Sequence, residues 1–138
     1  MYGALDISTS GMIAQRTRLD SISANVANRN TILDAQGRVN PYRRREVHFA
    51  PGDPASASAQ GRKFGVRVSR IVADQDAVRW TYDPSSRFAN AQGYVPMPDI
   101  NPVVEQINAM EAVRAYEANV VAAEATKSML AQALRLIA

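Results

Sequence analysis

The last stretch of the chain, residues 101–138, sets the terms for everything before it. From Val113 onward, Val113, Tyr116, Val120, Ala123, Lys127, Leu130, Leu134 and Ile137 fall on strictly alternating steps of three and four residues, with Lys127 the only charged member. Such a run predicts a helix carrying a coiled-coil seam. Upstream, Val103, Ile107 and Met110 keep a similar spacing, but the step from Met110 to Val113 is one residue short of the heptad. The stripe therefore shifts around the helix, giving two slightly rotated apolar faces. Asn101 is placed to cap, Pro102 suits the first helical position and Glu105 meets the positive end of the dipole. At ~1.5 Å per residue the helix would be about 55 Å long, more than a compact domain of this size needs. It projects, and its stripe calls for partners.

A second helix is expected over residues 4–28. Leu5, Met12, Leu19 and Val26 are spaced by sevens and Ile22 adds a further apolar position, while Ser8, Gln15, Arg16 and Arg18 dilute the pattern. Gly11 and the serines at 8, 10, 21 and 23 lower its helix propensity, so alone in water it is marginal. Residues 113–138 are the natural companion. The end of this helix reads Asn25-Val26-Ala27-Asn28-Arg29-Asn30-Thr31. Asparagine tolerates the left-handed conformation, which makes Asn28 or Asn30 the expected C-cap.

Between the helices the pattern changes to alternation. Strands are expected over residues 42–49, 64–72 and 77–82, the last two joined as a β-hairpin through Asp74-Gln75-Asp76. Asp34-Ala35-Gln36-Gly37, Asp83-Pro84 and Gln92-Gly93 mark turns. Pro96 and Pro98 hold the chain extended on its way into the last helix. Residues 50–61, APGDPASASAQG, are low in complexity and read as a flexible loop. The expected class is α+β: terminal helices pairing as a coiled coil over 1–31 and 100–138, with a small β-rich insert over 32–99.

The composition limits the core. Hydrophobic residues make up 46% of the chain but aromatics only 7%, so burial per residue is modest, the expected core is thin, and stability has to come from packing, with assembly as a further source. The absence of cysteine removes disulfides, Cys-based zinc sites and thiol catalysis. No run approaches the roughly 18 consecutive apolar residues of a membrane span. The N-terminus has neither a basic region nor a continuous apolar core, so it is not a conventional secretory signal.

Candidate chemistry is sparse. His48 is the only histidine and has no nucleophile or carboxylate at recognisable spacing, which favours a structural place on a strand. Asp74 and Asp76 read as turn formers, and Glu111, Glu117 and Glu124 as a solvated helix flank. Arg43, Arg44 and Arg45, beside Tyr42 and Phe49, resemble a phosphate-binding run, but alternation along a strand splits them between faces. Gly61 and Gly65 lack the lysine and serine of a phosphate loop. No catalytic residue, metal or cofactor is assigned, and no nucleic acid is expected. An exposed apolar stripe marks an interaction surface instead.

Two motifs make the class specific. LDSISANVANRNT at 19–31 resembles the Asn-x-Ala-Asn-x-x-Thr signature that ends the N-terminal helix of bacterial flagellar axial proteins of the rod and hook. PYRRREVHF at 41–49, and GYVPMPDINPVVEQINAMEAVRAYEANV from Gly93 onward, resemble the proximal-rod members of that family; the chain departs from their pattern at Arg29, over residues 31–40, and at Ser85-Ser86-Arg87-Phe88.

The resemblance implies a structural subunit of the drive shaft, not an enzyme. It would be exported unfolded by the flagellar type III apparatus, without a cleaved signal, into a rod spanning the periplasm. There it would wall the export channel, transmit torque and support motility. Implied partners are further copies of the chain, other rod subunits, and membrane-ring and rod-junction proteins. Asn25, Ala27, Asn28 and Thr31 map onto the N-terminal signature, and Tyr116, Glu117, Ala118 and Asn119 onto the C-terminal one. The expected subunit interface combines Leu5, Met12, Leu19, Ile22, Asn25, Val26, Ala27, Asn28 and Thr31 with Val113, Tyr116, Glu117, Asn119, Val120, Ala123, Leu130, Leu134 and Ile137. The rival reading is a soluble adapter whose coiled coil recruits a partner, with weak nucleic-acid contact at the arginine strand.

Overall fold

The computed structural model describes residues 2–53 and 64–137, and it places the two helices at the ends of the chain as the periodicity requires. Helix α1 spans Tyr2–Ala27, strands β1 to β4 span Arg45–Pro51, Val66–Ala73, Val78–Tyr82 and Tyr94–Pro98, and helix α2 spans Pro102–Ile137. Asn101 caps α2: its Oδ1 accepts the Val103 amide at 3.0 Å and its carbonyl accepts the Glu105 amide at 3.0 Å. Pro102 opens the helix, where the missing N–H loses nothing.

The end of α1 differs from expectation. No non-glycine residue among those described has a positive φ, so neither Asn28 nor Asn30 is a left-handed cap. Asn28 instead donates its side-chain amide and its backbone amide to the Ala24 carbonyl at 2.9 and 3.0 Å, and Thr31 Oγ1 donates to Asn28 Oδ1 at 3.2 Å. A side chain satisfies the last turn, with no backbone inversion.

The strand pairing also departs from the expected hairpin. β2 and β3 flank the Asp74-Gln75-Asp76 turn but do not pair; β1 pairs antiparallel with β2, and β3 with β4. Two separate two-stranded sheets result. Alternation identifies a strand but not its neighbour, and β4 was hidden by Pro96 and Pro98. Prolines fit because each of these strands keeps a free edge. Tyr82 meets Tyr94 edge-on at 5.3 Å, and Gly93 turns the chain between them with φ +82°. Of the loop expected over 50–61, residues 50 and 51 belong to β1, and residues 54–61 lie outside the described residues.

The β1–β2 sheet packs on α1, and α2 packs on α1 alone among the elements; β3–β4 packs on neither helix. Ser10 Oγ accepts the Val66 amide at 3.1 Å and fastens β2 to the N-terminal half of α1. The apolar core is thin, as composition required: Ala14, Ile22, Ala77, Val95, Ile100 and Ala112 are its buried members.

Candidate interaction interface

The pairing of α1 with α2 starts from small side chains. Arg18 meets Glu111 at 3.0 Å, Asn25 meets Glu105 at 3.1 Å, and Gly11 faces Asn119. Rising numbers on one helix meet falling numbers on the other, so the pair is antiparallel. On α2 the inward line runs through Glu105, Asn108, Ala112, Ala115, Asn119, Ala123, Thr126 and Leu130, all buried or half-buried. Ala112 is 0% exposed. Small residues on both sides let the helix axes approach closely, and a Cβ on Gly11 would stand 2.5 Å from Asn119 Oδ1.

The expected coiled-coil seam is displaced from this contact line. Val113, Tyr116 and Val120 each follow an inward residue, Ala112, Ala115 and Asn119, by one position. One residue is about 100° of helix rotation. Only Ala123 and Leu130 belong to both lines. Val113, Tyr116 and Leu134 of the seam therefore stand off the contact with α1 while Val120 stays half-buried beside it, and Val103, Val104, Ile107, Met110, Val121, Met129 and Leu136 are exposed along α2 as well. Burying four or five such side chains contributes on the order of 10 kcal/mol. Association itself costs about 4–15 kcal/mol. One such contact is near break-even, so stable assembly needs several.

Where the helices meet the insert, the structure builds a buried polar node. Asn25 is 1% exposed and Glu105 2%. Asn25 Nδ2 donates to the Arg45 carbonyl at 3.0 Å and to Glu105 Oε2 at 3.1 Å; Asn25 Oδ1 accepts the Tyr42 hydroxyl at 3.1 Å and the Arg45 amide at 2.9 Å. Glu105 Oε1 accepts Arg44 Nε at 3.0 Å, and Arg44 also donates to Glu46 Oε1 at 2.6 Å. One asparagine thus ties α1 to β1 and to the first turn of α2. Burial alone would lower the Arg44 pKa, but hydrogen bonding and charge from Glu105, with help from Glu46, hold it above its ordinary value. Burial raises the Tyr42 pKa; the Arg45 charge opposes this and the Glu105 charge adds to it.

The residues expected at a subunit interface fall into three groups. Asn25 and Ile22 are buried within the chain; Leu5, Met12, Leu19, Asn28, Thr31, Asn119, Val120, Ala123 and Leu130 are half-buried; Val26, Ala27, Val113, Tyr116, Glu117 and Leu134 are exposed. The side chain of Ile137 lies outside the described residues. Sequence reading missed the partnership of Glu105 with Asn25 and Arg44. Its one local signal is an acidic residue in a first turn, which reads equally well as a dipole partner.

The arginine run is occupied inside the chain. Arg43 donates to the Gln75 carbonyl, Arg44 serves Glu105 and Glu46, and Arg45 lies over the Tyr42 ring at 5.5 Å. His48 is exposed on β1 opposite Arg70, and Asp74 Oδ1 accepts the Asp76 amide within their turn. Among the described residues no cluster of acidic or histidine side chains is arranged to hold a metal ion, and no helix is long and apolar enough to cross a membrane.

Comparison with known proteins gives one answer. Residues 5–32 match the family model described as flagella basal body rod protein, and residues 91–136 match that described as flagellar basal body rod FlgEFG protein C-terminal. The chain is 37% identical to the flagellar basal-body rod protein FlgC of Bacillus subtilis, covering 98% of this chain and 97% of that one. It is 36% identical to the FlgC of Salmonella typhimurium and 34% identical to that of Borreliella burgdorferi, in each case over 99% of this chain and 97% of the relative.

Proposed function

The chain belongs to the flagellar basal-body rod protein family, FlgC type, and from that premise we propose that it polymerises through its terminal helices as a subunit of the proximal rod. It is a structural subunit of the basal body and not an enzyme. Motility, torque transmission and a share in the export-channel wall follow as parts of the proposal. So do export by the flagellar type III apparatus, a position across the periplasm, and contacts with ring and junction proteins.

The observation that supports this reading best is the split between the two lines on α2. The inward line, mostly of small residues, satisfies α1, which leaves Val113, Tyr116 and Leu134 of the apolar seam open to neighbouring subunits. A helix pair in which α1 has low intrinsic propensity, and whose exposed seam residues are covered only on assembly, stays easy to unfold for transport and gains its order in the polymer. Torque then passes through many small interdigitated contacts.

The test is deletion of the gene followed by electron microscopy of extracted basal bodies. Rings without a completed rod, restored by the wild-type gene but not by a copy lacking residues 113–138, are expected. Complete, rotating flagella in the deletion strain would overturn the proposal.

A further inference from the structure

Strands β3 and β4 form a sheet with two unlike edges. The amides of Asp83 and Asp99 donate to the Gly93 and Ala77 carbonyls at 2.9 and 3.0 Å, and between these bonds Tyr82 lies opposite Tyr94, Trp80 opposite Pro96 and Val78 opposite Pro98. Hydrogen-bonded and open pairs alternate along an antiparallel ladder. Trp80 and Tyr82 therefore turn their N–H and C=O groups away from β4, while Tyr94, Pro96 and Pro98 face away from β3. Tyr94 is engaged there by Asn90: it accepts the Asn90 amide and donates its own to Asn90 Oδ1, each at 2.9 Å. Pro96 and Pro98 have no N–H to offer. The β4 edge is closed to a further strand.

The β3 edge lacks that protection. Among the described residues β3 packs on no strand or helix but β4, and no group of the chain bonds the outward N–H and C=O of Trp80 and Tyr82. The side chains of these two residues share one face of the strand, Trp80 at 58% exposure and Tyr82 at 64%. Arg79 is exposed on the other face. It lines a polar cleft of about 420 Å³ with Arg29 and Asp99, and among the described residues neither arginine has an ion pair. Two guanidinium groups against one carboxylate leave this side of the strand positive. The other sheet is guarded differently: Asn25 takes the Arg45 amide on β1, and Ser10 the Val66 amide on β2.

We propose that the outer edge of β3 binds an extended peptide segment of another protein as an added strand, with apolar side chains over Trp80 and Tyr82 and an acidic side chain towards Arg79 and Arg29. The unmatched backbone groups supply the hydrogen bonds, and the two faces of β3 supply the selectivity. Period-two alternation puts the peptide's apolar residues on one side and its carboxylate on the other. The edge is five residues long, so the added strand spans roughly 16 Å. This contact lies on the insert and is separate from the α2 seam.

Trp80 is the only tryptophan of the chain, and its emission reads the edge directly. The probe is a short capped peptide of alternating valine and glutamate, titrated into the full chain. A saturable change in emission is expected, with affinity at least tenfold lower for the counterpart of alternating valine and lysine. Arg79→Glu, an exposed position, is expected to reverse that preference. N-methylation of one alternate set of peptide amides, the set facing β3, is expected to abolish binding, whereas methylation of the other set leaves it intact. No saturable change with the valine and glutamate peptide, or equal affinity for the two methylated forms, would overturn the proposal. An emission change that grows with protein concentration in the absence of peptide would assign the edge to a second copy and overturn it too. None of these results bears on the rod reading, because β3 takes no part in the helix pair.

Discussion

Gly11 of α1 and Asn119 of α2 meet so closely that a Cβ on the glycine would stand 2.5 Å from the asparagine Oδ1. Asn119 is not free to retreat without loss, because its Nδ2 donates to the Ala115 carbonyl at 2.7 Å. Gly11→Ala gains about 1 kcal/mol of helix propensity. It meets an overpacking penalty of about 1–3 kcal/mol. The expected net effect is a loss of about 1 kcal/mol, read from urea titration of the helical signal. The double variant Gly11→Ala, Asn119→Ala is expected to be more stable than Gly11→Ala alone; an additive result would show that the two residues are not in contact.

Glu105 is the charge on which the insert and both helices converge. Removing it leaves Arg44 half-buried without its inner partner and Asn25 with an unused donor. Glu105→Ala is therefore expected to destabilise by about 3 kcal/mol. Glu105→Gln, which keeps a side-chain oxygen but not the charge, is expected to lose about half of that. A fall in the urea midpoint at unchanged slope is the readout.

The Tyr42 hydroxyl donates to Asn25 and its pKa is raised above the usual phenol value. A proton held more tightly in the folded state gives stability that is complete below the unfolded value of about 10. It is lost as pH rises through the raised folded value, because the unfolded chain then binds fewer protons. Tyr42→Phe removes this contribution and is expected to flatten the alkaline fall in stability, at a loss of about 1 kcal/mol at neutral pH. Alkaline melts of the two proteins that run parallel would refute the assignment.

Val113 belongs to the outward seam and is exposed in the single chain. Val113→Asp is expected to change monomer stability by no more than about 0.5 kcal/mol. In cells it is expected to stop rod incorporation, because the charge would be buried between subunits. Normal rods containing the variant would show that the seam is not an interface.

Much of the architecture is legible in the residues. Alternating three and four steps after Asn101-Pro102 mark α2, and Gly37, with φ +76°, stands in the turn expected after Asp34. The Asn-x-Ala-Asn-x-x-Thr run identifies the family and draws attention to Asn25, though not to its partners. The sequence also predicted that the terminal helices pair, though its periodicity did not single out the small residues that line their contact on α2. Periodicity weights large apolar residues, while close helix approach selects Gly11, Ala112, Ala115 and Asn119, which look like dilution of a stripe.

What local sequence determined, then, is the identity and ends of the helices, the turn chemistry and a surplus of apolar surface, because these follow from spacing and side-chain type within a few residues. Tertiary structure alone decided the β1–β2 and β3–β4 partners, the convergence of Asn25, Arg44 and Glu105, and the side of α2 that remains open. Those depend on groups separated by tens of residues competing for the same space. Chain-local patterns carry no information about which competitor fits.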